Sequence, residues 1–294
     1  MRLGFLGLGA IGRPMASHLV EHDLTVWNRT RSVAQAFAAR YGATVADTPR
    51  MLAGRVDVAI TCLPSSAEVE AVLWGADGLA PGLPPHSLVV DCTSGDPASS
   101  RRIAAGLAEL GIQFVDAPVS GGTNGAEAAT LTAMVGGSDE AFARAAGVLS
   151  AFAARVEHVG PVGAGHALKA VNQALLAVNI LALGEGLSAL VGVGVPAARA
   201  VAVLNASSGR SFVSERLIPD RVLSGRWPKT FRLALLEKDV SIALRVLDEG
   251  GVPGPVLHRA CQALQQARAA LGADADYLEV IKLHEQEAGI EIRE

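Results

Sequence analysis

The stretch Arg2-Leu3-Gly4-Phe5-Leu6-Gly7-Leu8-Gly9-Ala10-Ile11-Gly12 decides the fold. Its first five residues predict a short apolar strand, and helical spacing begins at Ala10. The GxGxxG string alone is weak evidence, because glycine-rich turns are common. Between a strand and a helix it is the arrangement that dinucleotide binding requires, since backbone N–H groups at the helix start face the phosphates. A tight turn without a ligand is the less favoured interpretation.

Strand-like and helix-like runs alternate over residues 1–160. The strand-like runs are Arg2–Leu6, Leu24–Trp27, Val56–Cys62, Ser87–Asp91, Gln113–Ala117, Leu131–Val135 and Val156–Val159. Helical spacing covers Ala10–Glu21 and Ser32–Tyr41, and Asp96-Pro97 is typical of the start of a further helix. This alternation predicts a largely parallel sheet with helices on both faces.

The pattern changes after the turn-rich stretch Gly160-Pro161-Val162-Gly163-Ala164-Gly165. A nearly apolar helix is predicted over His166–Val193, and we expect other helices to bury it. Helical periodicity continues over Pro196–Asn205, Phe231–Glu249, Val256–Leu271 and Asp276–Glu287. The sequence therefore predicts an α/β, Rossmann-type domain over residues 1–162 and an all-helical domain over residues 163–294.

Composition argues against several classes of protein. The net charge is −4, from 25 Lys+Arg against 29 Asp+Glu, and no long basic run indicates a nucleic-acid partner. The apolar stretch Ala174–Val195 contains Asn179 and Glu185, so a buried helix is favoured over a membrane span. Three widely spaced cysteines without a CxxC pair predict neither a disulfide framework nor a metal site, and they fit a cytoplasmic protein: Cys62, Cys92 and Cys261.

The end of the second strand bears on the choice between NAD and NADP. An acidic residue there would accept hydrogen bonds from the ribose 2′-hydroxyl. This chain instead has Asn28-Arg29-Thr30, followed by Arg31. Arg29 could pair with a 2′-phosphate through its fork of donors, which favours NADP. A solvated Arg29, or stacking on the adenine of NAD, stays open.

Two further strand ends are expected to border the cofactor, because ligands lie beyond the carboxyl ends of the strands in such sheets. These are Cys62-Leu63-Pro64 and Asp91-Cys92-Thr93-Ser94. Leu63 and Pro64 would line the site, and the Thr93 hydroxyl could bind the nicotinamide ribose. Ordinary loop starts would have the same spacing.

Two segments have side chains suited to chemistry. Asp116-Ala117-Pro118-Val119-Ser120-Gly121-Gly122 ends in a turn whose N–H groups and hydroxyl could hold a carboxylate, although it could also be a flexible loop.

Lys169, Asn172 and Gln173 share one face of the long helix. Hydride transfer to a carbonyl needs a proton donor, and a lysine serves if its pKa is lowered. A lysine that reaches the surface is the alternative.

Over nearly its whole length the chain resembles the β-hydroxy-acid dehydrogenases. The resemblance rests on several motifs in the same order: Gly7–Gly12, Asp116–Gly122, Gly125-Ala126, Met134-Val135-Gly136-Gly137, Gly163–Asn172, Ala206-Ser207-Ser208-Gly209-Arg210-Ser211, Lys238-Asp239 and Asp274-Ala275-Asp276. Such a set is far more specific than the glycine string alone.

The resemblance implies roles for several residues. Lys169 would be the catalytic residue with Asn172 in support, Ser120, Gly121 and Gly122 would bind the substrate carboxylate, and Lys238 would reach the cofactor. The helical domain would bind substrate and form dimers or tetramers through the long helix. Many members have two asparagines where this chain has Asn172-Gln173. Gln173 would bind substrate with an amide that is one methylene longer, which would shift the substrate preference.

Together with the Asn28-Arg29-Thr30 turn, the resemblance implies an NADP-linked dehydrogenase that interconverts 3-hydroxyisobutyrate and methylmalonate semialdehyde. A reductase of glyoxylate, succinic semialdehyde or tartronate semialdehyde is the nearest rival. A dinucleotide-binding module without catalysis is the alternative of another class, and the presence of Lys169 argues against it.

Overall fold

The computed structural model describes residues 1–293, which form two compact units. The first covers Met1–Lys169 and the second begins at Ala170. This division falls inside the long helix, whereas the sequence places a domain boundary at 162/163, ahead of it. The boundary at 162/163 stays a prediction.

The first unit is a sheet of nine strands with helices between them. The strands are β1 (Arg2–Leu6), β2 (Asp23–Trp27), β3 (Thr44–Val45), β4 (Val58–Thr61), β5 (Leu88–Asp91), β6 (Gln113–Asp116), β7 (Val119–Ser120), β8 (Leu131–Gly136) and β9 (Ala153–Gly160). The helices are α1 (Gly12–Ser17), α2 (Arg31–Tyr41), α3 (Pro49–Ala53), α4 (Ser66–Trp74), α5 (Pro97–Glu109), α6 (Gly122–Glu127) and α7 (Asp139–Leu149).

Strand order brings several strand ends together. The order is β3-β2-β1-β4-β5-β6-β8-β7, with β9 paired to β8. Pairing is parallel from β3 to β6, and β8 runs antiparallel to β6 and β7. Thr61 is in register with Asp91, and Asp91 with Asp116, so the carboxyl ends of β4, β5 and β6 are level. This confirms the predicted Rossmann-type fold.

Alternation along the central strands explains why helices cover both faces. All four residues of β4 and of β5 are buried. Ile60 and Val90 belong to one apolar cluster, whereas their neighbours Ala59 and Val89 belong to another. Because successive strand residues point to opposite faces, each face needs its own apolar cover.

The second unit is mostly helical, as predicted. Its helices are α8 (Ala164–Gly192, which begins in the first unit), α9 (Ala197–Asn205), α10 (Leu233–Glu249), α11 (Pro255–Leu271) and α12 (Val280–Ala288). A wide π-type helix over Val213–Leu223 was not predicted, since it contains Pro219, a residue that usually ends a helix. Leu217, Ile218 and Val222 nevertheless lie in the core of this unit.

The helix α8 is less enclosed than its apolar sequence suggests. It is long and apolar enough to cross a membrane by length and composition alone, and 39% of its most apolar window is buried. Leu168 and Leu175 are exposed by 43% and 55%. The expectation that other helices of this chain bury the helix on all sides is therefore met only in part.

Candidate active site

Two glycines of the loop after β1 are required by the fold itself. Gly7 has φ of +104°, and a Cβ there would lie 2.3 Å from the carbonyl oxygen of Cys62. A Cβ on Gly12 would lie 2.0 Å from the Gly7 carbonyl oxygen. Both contacts are with backbone, which cannot move aside cheaply. The loop is therefore a fixed turn between β1 and α1.

Gly9 differs from these two glycines. Its φ is not positive, and a Cβ there would meet no atom within 4 Å. Neither backbone conformation nor packing inside the protein explains a glycine here. Space beside bare backbone between a strand and a helix fits a diphosphate, which must approach the main chain closely. The residues present thus fit a dinucleotide.

Asn28 holds the glycine loop to the end of β2. The Leu8 N–H donates to its Oδ1 at 3.0 Å, and its Nδ2 donates to the Thr30 carbonyl at 3.0 Å. Arg29, predicted to bind a phosphate, is exposed, and within residues 1–293 no hydrogen bond or ion pair holds it. Arg31, by contrast, is paired with Asp47 at 2.7 Å.

Leu63 and Thr93, which the sequence places just after two strand ends, are hydrogen-bonded to each other. The Leu63 N–H donates to Thr93 Oγ1 at 3.1 Å, and Pro64 follows in the same turn. Asp91, which the sequence analysis did not single out, orders this edge: its Oδ1 accepts from Thr61 Oγ1 at 2.8 Å and from the Thr93 N–H at 3.0 Å. Its place as the last residue of a buried strand was the available signal.

The Ser120-Gly121-Gly122 turn lies between β7 and α6. Gly121 and Gly122 are exposed and have φ of +138° and +65°, a conformation that favours glycine. A Cβ on Gly121 would also lie 2.8 Å from the Leu131 side chain. The turn is therefore accessible and fixed, with Ser120 half-buried beside it.

Asp116 anchors the start of α8. It is fully buried, and its two carboxylate oxygens accept from the N–H groups of Gly163 at 2.6 Å and His166 at 2.8 Å. Burial raises the pKa of Asp116, and the two N–H groups and His166 oppose that rise. Cβ atoms on Gly136 and Gly165 would lie 2.6 and 2.9 Å from this carboxylate. The sequence analysis missed this role.

Lys169 lies one turn after His166 on α8 and is only 7% exposed. A side chain that reaches the surface is therefore excluded. Burial of a lysine ammonium group costs free energy unless nearby polar groups compensate for the lost water. Buried lysines are therefore concentrated at functional sites.

Asn172 and Gln173 belong to the second unit and join α10. The Asn172 Nδ2 donates to Gln173 Oε1 at 3.2 Å, and the Gln173 Nε2 donates to Asp239 Oδ2 at 3.3 Å. Lys238 Nζ lies 3.1 Å from Asp239 Oδ1. The glutamine that departs from the family pattern thus binds the Lys-Asp pair. The roles of these residues toward ligands stay predictions.

The contrast between Gly9 and Gly12 gives a first test. We expect Gly9→Ala to leave the urea midpoint unchanged but to weaken dinucleotide binding by about tenfold or more, because the methyl group would occupy the space that fits the diphosphate. Gly12→Ala should lower the free energy of unfolding by about 1–3 kcal/mol through its backbone clash. Fluorescence titration with NAD and with NADP measures the first effect, and urea unfolding measures the second. Binding of both dinucleotides by Gly9→Ala as tightly as by wild type would contradict this assignment.

Two family models together match most of the chain. One, described as the NAD binding domain of 6-phosphogluconate dehydrogenase, matches residues 2–160. The other, described as the NAD-binding of NADP-dependent 3-hydroxyisobutyrate dehydrogenase, matches residues 163–284.

Individual relatives agree with these matches. The chain is 37% identical to 2-(hydroxymethyl)glutarate dehydrogenase of Eubacterium barkeri, over 99% of this chain and 97% of that one. It is 36% identical to NAD-dependent L-serine dehydrogenase of Pseudomonas aeruginosa, over 82% and 78%. The structure of Mycobacterium tuberculosis 3-hydroxyisobutyrate dehydrogenase with L-serine is similar with a TM-score of 0.86, 29% identity and coverage of 96% and 98%. The chain therefore belongs to the β-hydroxy-acid dehydrogenase family, a family of NAD(P)-dependent oxidoreductases.

Proposed function

We propose that the protein catalyses the reversible, NADP-linked oxidation of the primary alcohol of a 2-substituted 3-hydroxypropionate to the aldehyde. The leading candidate is 3-hydroxyisobutyrate, which gives methylmalonate semialdehyde. The observation that carries the proposal is Lys169, buried one turn after the Asp116-bound start of α8.

The names of three relatives support this class of substrate. 2-(Hydroxymethyl)glutarate, L-serine and 3-hydroxyisobutyrate each have a carboxylate, and next to it a carbon that bears a CH₂OH group. They differ in the third substituent of that carbon, which is carboxyethyl, amino or methyl. A protein that binds such molecules needs a carboxylate site and a proton acceptor at the alcohol. Ser120, Gly121 and Gly122 would supply the first, and Lys169 the second.

The chain's residues divide the chemistry between them. In the oxidation, Lys169 would take the hydroxyl proton, and in the reduction it would return that proton to the same oxygen. Asn172 would hold the amine and the substrate in line. Bound NADP would supply the hydride acceptor, held by the glycine loop, by Leu63, Pro64, Thr93 and Lys238, and by the Asn28-Arg29-Thr30 turn.

A lysine variant tests the proposed proton transfer. Lys169→Met keeps most of the side-chain volume but removes the amine, so we expect kcat for 3-hydroxyisobutyrate to fall by about 10²- to 10⁴-fold. The dissociation constant of NADP should stay within roughly threefold of wild type, because the amine acts on substrate and not on cofactor. Lys229→Met, at an exposed lysine, is the matched control. Unchanged turnover in Lys169→Met would reject the mechanism and favour a non-catalytic module.

Arg29 tests the cofactor preference. A charge-assisted bond to the 2′-phosphate is worth about 1.5–3 kcal/mol, so Arg29→Gln should weaken NADP binding about 10- to 100-fold. Binding of NAD should change little, since NAD has no such phosphate. Arg31→Gln is the control, because Arg31 is paired with Asp47. Equal loss for NAD and NADP, or none for either, would show that Arg29 does not read the phosphate.

We also propose that α8 forms an interface between copies of this chain. Leu168 and Leu175 are exposed one heptad apart, and Ala182 and Ala189 continue the same exposed line. Apolar residues at this spacing are those that pack against a second helix.

An exposed charge on this line should disrupt the assembly. We expect Leu175→Glu to reduce the molar mass in light scattering to that of one chain, because the carboxylate would have to be buried. Val203→Glu is the control: Val203 is also apolar and exposed, but it lies on α9, so this variant should leave the molar mass unchanged. A wild-type protein with the mass of a single chain would overturn the proposed interface.

A further inference from the structure

We propose that His166 is a positioning residue for the reaction. It fixes the first turn of α8, which bears Lys169, to the strand end that bears Thr93. This inference rests on the proposed function, in which Lys169 moves the proton and the Leu63–Thr93 edge borders the cofactor.

The imidazole of His166 is fully engaged inside the first unit. The residue is 1% exposed, and its Nε2 lies 2.8 Å from the Thr93 carbonyl oxygen. Because a carbonyl only accepts, Nε2 must donate this hydrogen bond. Its Nδ1 lies 2.6 Å from Ser100 Oγ on α5. Both ring nitrogens therefore have partners, and the ring orientation is fixed.

His166 forms hydrogen bonds with the ends of two strands. Its backbone N–H donates to Asp116 at the end of β6, while its ring donates to Thr93 just after β5. Thr93 in turn holds the Leu63 N–H. A single residue on the first turn of α8 thus fixes the helix against the strand ends predicted to border the nicotinamide ribose.

Gly95 supports this assignment independently. Its φ is not positive, so its conformation does not require glycine. A Cβ there, however, would lie 2.7 Å from His166 Cε1 and 2.7 Å from Ser66 Oγ. The imidazole is therefore packed against bare backbone, and a single methyl group at Gly95 would displace it.

The position of the first turn of α8 matters because the reaction needs two transfers at neighbouring atoms. A hydride leaves or joins the alcohol carbon, and a proton leaves or joins the oxygen on that carbon. The amine of Lys169 has to reach the oxygen while the carbon faces the cofactor. A displacement of about 1 Å in either group can lower the rate by as much as about 100-fold. Helix α8 has Lys169 three residues after His166, on the same face, so a shift of the first turn moves the amine directly.

The experiment compares His166→Ala, His166→Gln and a matched control. His158→Ala is the control, because its Nε2 also donates to a backbone carbonyl, that of Gly137 at 2.9 Å, but on β9. We expect His166→Ala to lower kcat by about 10- to 100-fold with a larger primary deuterium isotope effect, and His158→Ala to change kcat by less than about twofold. His166→Gln should recover most of the loss, since its amide can donate toward Thr93.

Thermal unfolding of each variant separates positioning from general destabilisation. The inference is overturned if His166→Ala and His158→Ala lose the same amount of kcat, or if folded His166→Gln is no better than His166→Ala. Should His166→Ala fail to fold, Gly95→Ala takes its place: it keeps the imidazole but displaces it, and we expect a similar fall in kcat. Wild-type turnover in Gly95→Ala would then reject the inference.

Failure of the proposed function has a different signature. If the wild type oxidises no 2-substituted 3-hydroxypropionate, or if Lys169→Met is fully active, the proposed function is wrong. If Lys169→Met is inactive while His166→Ala and Gly95→Ala keep full turnover, only the role of His166 is wrong.

Discussion

The candidate site depends on the hydrogen bonds that the buried Asp116 carboxylate accepts at the start of α8. Asp116 is the last residue of β6, which ends the run of parallel pairing from β3 to β6. Its carboxylate accepts from the N–H groups of Gly163, just before the helix that bears Lys169, and of His166, in the first turn of that helix. A fully buried carboxylate is costly unless its oxygens are satisfied, and the helix start supplies the donors. Each element therefore stabilises the other: the strand end needs the helix start, and the helix start needs the strand end.

The glycines show which constraints come from the fold and which do not. Gly136 and Gly165 leave room for the Asp116 carboxylate, and Gly12 leaves room for the Gly7 backbone. These are requirements of packing within the chain. No packing contact requires a glycine at position 9, because a Cβ there would meet no atom within 4 Å. The open space beside Gly9 fits a bound ligand instead. Motifs that look alike in the sequence thus have different physical causes.

Local patterns were predictable, and long-range pairings were not. The strand Arg2–Leu6 and the Asp96-Pro97 helix start were both confirmed, because each depends on neighbouring residues. The helix Val213–Leu223 was missed because Pro219 contradicts ordinary helix propensity. The antiparallel β8 and the short β7 depend on pairing across the sheet, which periodicity does not reveal. His166 reaches Thr93 across 73 positions of sequence.

The same limit applies to the site. The glycine loop, Thr93 and Lys169 could be proposed as site residues from motifs and spacing, whereas the hydrogen bonds of Asp91 and Asp116 arise only through folding. The most direct measurement is a crystal structure with NADP and 3-hydroxyisobutyrate bound. We expect Lys169 Nζ within about 2.6–3.2 Å of the substrate hydroxyl oxygen. An Nζ that lies well beyond hydrogen-bonding distance, in crystals that turn the substrate over, would contradict Lys169 as the proton-transfer residue.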